Sequence, residues 1–250
     1  MKEFYIDDDG IKLHAKLEMP EGKDRCPLVI IVHGFTGDME EVHIIEAAKA
    51  ATSVGYAALR VEMYGHGKSG GTFFEHTLYK WVTNMLRVVE YARSLDFVTD
   101  LYLCGHSQGG LLVMLIAGMC PDKIKAIIPM SPAWMIPEYA RKGEILDSPV
   151  DPVNIPDEFI QNGENRLSGN YVRVAQTIHV EDEIARYNGP VLVIHGDQDE
   201  SVPYEYGVKA AKLYKNAQLV TIKDEDHCYN YHLDQVTDAI KDFLIRCGQR

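Results

Sequence analysis

The sequence predicts a single α/β domain in which helices cover both faces of a mostly parallel sheet. Short, continuous apolar runs such as residues 27–33 are typical of strands buried on both faces. These runs alternate with segments of helical periodicity such as residues 41–54, and that alternation indicates parallel crossovers. A chain of 250 residues fits one such domain and can bury a substantial core.

Eight strands are expected, and the first two form a hairpin around the turn at Asp9-Gly10. In chain order they cover residues 2–6, 13–19, 27–33, 56–61, 101–104, 124–129, 191–195 and 218–222. The spacing of apolar residues predicts helices at 41–54, 76–95, from about 110 onward, 204–214 and 233–247. Gly55 follows the first helix as a natural C-terminal stop.

One long segment interrupts this alternation. Between residues 131 and 188 no strand is evident, and prolines break the segment at positions 132, 137, 149, 152 and 156. A structureless loop of that length is improbable in a compact domain, so we expect an inserted lid of short helices and turns after the sixth strand. The predicted organisation is a core of residues 1–130 and 189–250 with a lid subdomain of residues 131–188.

The pentapeptide Gly105-His-Ser-Gln-Gly109 is the most informative motif. It follows an apolar strand and precedes a helix, the context in which a serine on a sharp turn exposes its hydroxyl. The flanking glycines avoid collisions with the neighbouring strand and helix. The pattern therefore predicts that Ser107 is a nucleophile.

A serine hydroxyl needs a base, and the base needs a group that orients it. After a turn of this kind, the acid and then the histidine are expected to follow later strands. Three carboxylates compete for the role of the acid directly after the strand at 191–195: Asp197, Asp199 and Glu200. His227 follows the last strand and is the candidate base.

Five motifs follow one another along the chain: His33-Gly-Phe-Thr-Gly37, Tyr64-Gly-His-Gly-Lys-Ser69, Gly105-His-Ser-Gln-Gly109, His195-Gly-Asp-Gln-Asp199 and Asp226-His227. In this order they resemble those of the α/β-hydrolase serine esterases, in particular the bacterial cinnamoyl (feruloyl) esterases. The similarity covers nearly the whole chain, including residues 170–176 of the predicted lid. It implies an α/β-hydrolase fold.

The resemblance also implies a role for each candidate residue. Ser107 corresponds to the nucleophile and His227 to the general base and later acid. Asp199 corresponds to the orienting acid, because such families use the second aspartate of H-G-x-x-D, which leaves Asp197 to a local turn or capping bond.

The backbone N–H groups of Phe35 and Gln108 correspond to the oxyanion hole. The implied reaction is hydrolysis of a small ester through an acyl-enzyme, and it needs no metal or organic cofactor. His195, Asp197 and Asp199 are not expected to bind a metal, since alternate residues at a strand end do not converge readily.

The predicted substrates are esters of hydroxycinnamic acids such as ferulate. Trp134, Tyr139 and Tyr171 of the lid are candidate contacts for a phenylpropanoid ring, and the alternative is that they pack the lid onto the core. Residues 158–165 lack the tryptophan that related ferulate-active enzymes can carry, which favours a wider aliphatic acyl preference.

Two other functions remain open. One is a short-chain carboxylesterase or a monoacylglycerol lipase-like enzyme. The other is a non-catalytic binding protein of the same fold, which is disfavoured because every catalytic role is filled.

Composition excludes several classes of partner. The net charge is −12 without a long basic cluster, so neither nucleic acid nor an anionic membrane surface is expected as a partner. No run approaches the ~20 apolar residues of a membrane span, and the first ten residues lack a signal-peptide core. With five scattered cysteines and no C-x-x-C pair, we expect a cytoplasmic protein with reduced thiols. The resemblance is compatible with a homodimer.

Overall fold

Twelve strands occur along residues 1–249, the part of the chain that this computed structural model describes. They are β1 (Lys2–Asp8), β2 (Ile11–Glu18), β3 (Cys26–Val32), β4 (Ala57–Val61), β5 (Val98–His106), β6 (Ala126–Met130), β7 (Glu144–Ile145), β8 (Ser148–Pro149), β9 (Glu158–Gln161), β10 (Asn165–Ser168), β11 (Val191–Gly196) and β12 (Ala217–Ile222). The α-helices are α1 (Val42–Ser53), α2 (Leu78–Arg93), α3 (Gln108–Met119), α4 (Ile136–Lys142), α5 (Asn170–Gln176), α6 (Val180–Arg186), α7 (Tyr204–Leu213) and α8 (Leu233–Gly248).

Eight strands form one sheet in the order β1-β2-β4-β3-β5-β6-β11-β12. The hairpin of β1 and β2 pairs antiparallel with β4, and the remaining neighbours are parallel. The prediction of a mostly parallel eight-stranded sheet with an N-terminal hairpin is confirmed. Because the parallel strands share one direction, the loops after β3, β5, β11 and β12 meet at the same edge.

The core lies on both faces of this sheet. Side chains alternate along β3, so that Leu28, Ile30 and Val32 face one apolar cluster and Val29 and Ile31 face the other. Helices α2, α3 and α7 bury residues in the first cluster, and α1 and α8 bury residues in the second. No helix in the described residues is long and apolar enough to cross a membrane.

The segment between β6 and β11 contains α4, α5 and α6 and two small antiparallel hairpins, β7–β8 and β9–β10. The expectation that no strand occurs here is therefore wrong. Each hairpin turns through two residues of positive φ, Leu146 and Asp147 (46° and 65°) and Asn162 and Gly163 (49° and 72°). Such turns match the twist of a two-stranded ribbon, which is why short polar strands can pair here.

Candidate active site

The serine turn joins β5 to α3 at the carboxyl edge of the sheet. Ser107 has φ 55° and ψ −118°, and its backbone N–H donates to the carbonyl of Met130 at 2.9 Å. A Cβ on Gly105 would lie 2.2 Å from the carbonyl oxygen of Gly109, and a Cβ on Gly109 would lie 2.4 Å from that of His33. Only glycine fits at either position, so the motif is a steric requirement of this turn.

The loops after β11 and β12 bring a carboxylate and a histidine together. Nδ1 of His227 lies 2.8 Å from Oδ2 of Asp199. The other carboxylate oxygen, Oδ1, accepts from the backbone N–H groups of Ser201 and Val202 at 2.9 and 2.8 Å. These bonds fix the orientation of the carboxylate, which in turn selects the His227 tautomer that carries its proton on Nδ1.

The Asp199 carboxylate is fully buried and stays ionised. Burial opposes its ionisation, but hydrogen bonds from His195 and His227 and the charge of His227 outweigh burial and hold the pKa of Asp199 well below its usual value. A buried anion therefore lies against Nδ1 of the candidate base. This arrangement stabilises an imidazolium when one forms.

The other two candidate acids do not contact His227. Asp197 accepts from the backbone N–H of Asp224 at 2.7 Å and from the side chain of Gln198 at 3.2 Å. Glu200 is exposed. Asp197 thus ties the loop after β11 to the loop after β12, which is a longer-range link than the local turn expected from the sequence.

Two carboxylates shape the loop that carries His227: Glu225, which the sequence analysis did not single out, and Asp226, which it named only as part of the Asp226-His227 motif. Glu225 is fully buried and accepts from the backbone N–H groups of Asp226 at 3.0 Å, of Tyr231 at 3.1 Å and of His232. Asp226 accepts from the N–H of Cys228 at 3.1 Å. The loop is therefore held by bonds to its own backbone, which reduces the freedom of His227.

Ser107, the candidate nucleophile, is linked to the candidate base through the adjacent residue His106. Nε2 of His106 donates to the backbone carbonyl of His227 at 2.8 Å, and the centres of the two rings are 4.6 Å apart. Within residues 1–249 there is no direct hydrogen bond between Ser107 Oγ and His227. In hydrolases without substrate this bond is often long and tightens when substrate binds.

The loop after β3 lies against the nucleophile. A Cβ on Gly34 would lie 3.1 Å from Cβ of Ser107. Among the described residues, the backbone N–H groups of Phe35 and Gln108 have no hydrogen-bond acceptor. The carbonyl of Phe35 faces Nε2 of His66 at 2.5 Å, so His66 holds the peptide that follows Phe35. The two unpartnered donors are therefore available to a substrate oxygen.

The three lid aromatics have different surroundings. Trp134 is buried and donates from Nε1 to the carbonyl of Tyr206 at 2.9 Å, which is a packing contact with α7. Tyr139 is half-buried, and its ring centre lies 6.1 Å from that of Tyr206. Tyr171 is fully buried and contacts Phe35, with ring centres 5.6 Å apart. Of these three side chains, only Tyr171 makes a ring contact with Phe35, one of the two candidate oxyanion residues.

Acyl transfer through a serine needs a strained, accessible hydroxyl, an oriented histidine and donors for the developing oxyanion. Candidate groups of these kinds at one edge of a sheet of this topology are typical of the serine hydrolases of the α/β class. Family models match the chain over most of its length: the family described as serine aminopeptidase, S33 over residues 23–153, and the family described as TAP-like protein over residues 163–248. The chain belongs to the α/β-hydrolase family.

Comparisons with individual proteins narrow the activity within this family. Est1E from Butyrivibrio proteoclasticus with ferulic acid bound is 57% identical to this chain, with a TM-score of 0.97, and the match covers 99% of this chain and 100% of that one. A second structure of Est1E is 55% identical, with a TM-score of 0.94 and 99% of each chain covered. Human mitochondrial palmitoyl-protein thioesterase ABHD10 is 23% identical over 214 residues, which are 82% of this chain and 68% of that protein. The chain is a serine esterase.

Proposed function

We propose that this esterase hydrolyses esters of hydroxycinnamic acids such as ferulate, with Ser107, His227 and Asp199 as its catalytic triad. The observation that carries the proposal is the 57% identity, over 99% of the chain, to a structure that holds ferulic acid. The bond of 2.8 Å between Asp199 and His227 supports the assignment of the acid and the base.

In the first step Ser107 Oγ attacks the ester carbonyl carbon while Nε2 of His227 takes the hydroxyl proton. The carbonyl oxygen becomes an oxyanion, and the N–H groups of Phe35 and Gln108 stabilise it. Each such donor contributes about 2.7–4 kcal/mol to the transition state in comparable enzymes. The tetrahedral intermediate collapses, the ester bond breaks, and His227 returns the proton to the leaving alcohol.

In the second step water attacks the acyl-enzyme and His227 takes one of its protons. The second tetrahedral intermediate releases the carboxylic acid and returns the proton to Ser107. Asp199 stays ionised throughout and stabilises the imidazolium of His227 in both steps. The chemistry of this route is complete with protein groups and water.

We propose that the inserted segment of residues 131–188 acts as a lid over this site. Tyr171 at the start of α5 packs on Phe35, and α6 lies so close to α3 that a Cβ on Gly118 would be 2.5 Å from the backbone oxygen of Glu183. Ser107 and His227 are only 8% and 9% exposed. The low exposure of these two residues supports the proposal that substrate enters when the lid moves and is then shielded from water.

The deciding experiment compares kcat/KM for methyl ferulate, p-nitrophenyl butyrate and monobutyrin, with Ser107→Ala as the control. We expect methyl ferulate to react at least as fast as the aliphatic esters, and Ser107→Ala to lose several orders of magnitude of activity on all three. Equal rates for the wild type and Ser107→Ala would refute the serine mechanism.

Turnover of the aliphatic esters alone would leave the esterase class intact and overturn the hydroxycinnamate specificity. The hairpin β9–β10 is the segment that favours this alternative, because its apolar residues are Phe159, Ile160 and Leu167 and it contains no tryptophan. A short-chain carboxylesterase is therefore the second candidate function.

A homodimer and a cytoplasmic location complete the proposal. The scattered cysteines, without a C-x-x-C pair, support a reducing compartment. Light scattering on the purified chain tests the homodimer, and a mass of one chain at micromolar concentration contradicts it. Fractionation of the native host tests the cytoplasmic location, and recovery in the secreted fraction contradicts it.

A further inference from the structure

A second cluster of polar side chains lies beside the proposed triad. One ligand atom each from Glu41, His43 and His106 lies within 4.8 Å of the other two. Within residues 1–249, Oε2 of Glu41, Nε2 of His43 and Nδ1 of His106 are buried and have no hydrogen-bond partner. An unpartnered buried polar atom costs about 1–3 kcal/mol, so three that converge on one point suggest that a ligand satisfies them together.

The hydrogen bonding of His106 leaves one ring nitrogen available to a cation. Its Nε2 faces the carbonyl oxygen of His227 at 2.8 Å and must therefore carry the ring proton. Nδ1 then keeps its lone pair, and this nitrogen is buried without a hydrogen-bond partner among the described residues. Metal-bound histidines usually donate their second N–H to a carbonyl or carboxylate in this way, which fixes the ring for the metal.

Burial keeps both imidazoles neutral, as metal binding requires. His43 and His106 are each 3% exposed. Burial lowers the pKa of His43 to about 4, with the charge of His227 acting in the same direction. Burial likewise holds the pKa of His106 well below its usual value. Neither ring needs to lose a proton at pH 7 before it can bind a cation.

Glu41 supplies a carboxylate and the route of entry. Burial, with the charge of Asp38 acting in the same direction, raises the pKa of Glu41 to about 7, so a bound cation displaces a proton from this group in part of the molecules at pH 7. Glu41 precedes α1, and its Oε2 lies 3.8 Å from Nε2 of His43. A Cβ on Gly37 would lie 2.1 Å from the same oxygen, so glycine at position 37 leaves room for the carboxylate. The Glu41 side chain is 31% exposed, whereas that of His43 is 4% exposed, so the cluster opens to solvent on the Glu41 side.

We propose that Glu41, His43 and His106 bind one Zn²⁺ ion beside the catalytic triad. Two imidazole nitrogens and one carboxylate oxygen form a donor set that suits Zn²⁺, with a fourth position left for water. Ligands of a tetrahedral zinc ion are about 3.3 Å apart, given zinc–ligand bonds of about 2.0–2.2 Å. Rotation of the half-buried Glu41 side chain brings its carboxylate oxygen closer to the nitrogens of His43 and His106. This site differs from the sequence expectation that no metal is bound.

The bound ion is expected to slow ester hydrolysis. The His106 ring is 4.6 Å from the His227 ring, and His227 becomes positively charged in both transition states of the proposed reaction. A divalent cation on the far nitrogen of His106 opposes that charge. The site would therefore act as an inhibitory zinc site that is distinct from the triad.

The test is a calorimetric titration of the metal-free full chain with ZnCl₂, in parallel with hydrolysis of p-nitrophenyl butyrate. We expect one equivalent of Zn²⁺ to bind and the rate to fall as the site fills. Glu41→Gln keeps the side-chain volume and removes the charge, so we expect its affinity to fall by at least about tenfold and its rate to become correspondingly less sensitive to zinc. His43→Gln removes a nitrogen ligand and should abolish the site.

Two matched controls locate the ion. His179→Asn removes an exposed histidine on a distant surface, and Asp199→Asn removes the triad carboxylate; both should still bind one equivalent of Zn²⁺. The proposal is overturned if the wild type binds no Zn²⁺ at micromolar concentration, since the cluster then holds only water. It is also overturned if Glu41→Gln binds like the wild type, or if Asp199→Asn loses the site while Glu41→Gln keeps it.

Discussion

The hydroxyl of Tyr171 donates to Oε1 of Gln108 at 2.6 Å, and both side chains are fully buried. Tyr171 belongs to the inserted segment, whereas Gln108 follows the nucleophile and carries one of the two proposed oxyanion donors. The bond therefore connects the inserted segment directly to the residue after the nucleophile. Any displacement of α5 is expected to reach the position of Gln108.

Tyr171→Phe tests this connection. The substitution leaves a buried amide oxygen without a donor, so we expect the free energy of unfolding to fall by about 1–3 kcal/mol. We also expect kcat to fall, because Gln108 is less firmly held. Urea denaturation and steady-state kinetics measure the two effects.

Tyr187→Phe is the matched control for Tyr171→Phe. Tyr187 is also buried, and its hydroxyl donates to the carbonyl of Ile124 at 3.3 Å, outside the candidate site. Tyr187→Phe should lower the free energy of unfolding without lowering kcat. Equal effects of both variants on kcat would contradict a special role for the bond between Tyr171 and Gln108.

A pair of aspartate variants tests the proposed acid. Asp199→Asn removes the charge that stabilises the His227 imidazolium and favours the wrong tautomer, so kcat should fall by about 10⁴-fold. Asp197→Asn weakens only the link to the loop at Asp224, and we expect its kcat to stay within about threefold of the wild type. Measured kcat values with the reversed order would exchange the roles of the two residues.

The strained backbone conformation at position 107 predicts that the serine needed for activity lowers the stability of the protein. Residues with side chains rarely adopt φ 55° with ψ −118°, and holding one there costs about 1–3 kcal/mol. Ser107→Gly relieves this strain and Ser107→Ala keeps it, while both remove the hydroxyl. After the greater flexibility of glycine in the unfolded chain is allowed for, Ser107→Gly should be more stable than Ser107→Ala by about 1 kcal/mol. Calorimetric melting of the two inactive variants measures the difference, and a less stable Ser107→Gly contradicts the assignment of strain.

Five buried histidines predict a loss of stability in mild acid, since burial lowers the pKa of each: His33, His43, His66, His76 and His106. Burial lowers the pKa of His33 and of His76 to about 3, with the charge of His66 acting in the same direction, and burial also lowers the pKa of His66. The unfolded chain therefore binds more protons below pH 6.5, and the stabilisation present above that pH is lost as the pH falls toward 3. Each fully responding histidine contributes about 1.4 kcal/mol per pH unit.

Urea denaturation at pH 7.5, 6 and 5 measures that slope. His76→Phe removes one of the five titrating rings and should reduce the histidine contribution to the slope by about a fifth. A free energy of unfolding that is constant across this range, or a slope unchanged in His76→Phe, contradicts the account.

Much of the site could be predicted from the sequence because its chemistry imposes local patterns. Gly105 and Gly109 are required by contacts of 2.2 and 2.4 Å at the serine turn, so the motif itself encodes the geometry. His227 and three candidate acids follow strands whose carboxyl ends meet at one edge, so their order along the chain nominated them. The choice of Asp199 over Asp197 and Glu200 came from the resemblance. Parallel strands also have apolar runs, which is why the six parallel strands of the large sheet were found. The antiparallel strands β1 and β2 were found from the turn at Asp9-Gly10 between them.

Other features depend on contacts that no local pattern contains. Glu225 is buried only because the loop folds around it, and Glu41 meets His106 through the packing of α1 against the sheet. The hairpin β9–β10 is different, because its three-residue connection begins with the dipeptide Asn162-Gly163, a strong local turn signal. The prolines and polar residues around it obscured that signal.

The most direct test of the account is active-site labelling in competition with substrate. The chain is treated with a fluorophosphonate, with and without excess methyl ferulate, and the modified peptide is identified by mass spectrometry. We predict a single adduct on Ser107, formed more slowly when methyl ferulate is present. An adduct on another residue, or labelling that methyl ferulate does not slow, would contradict the claim that Ser107 is the nucleophile for hydroxycinnamate esters.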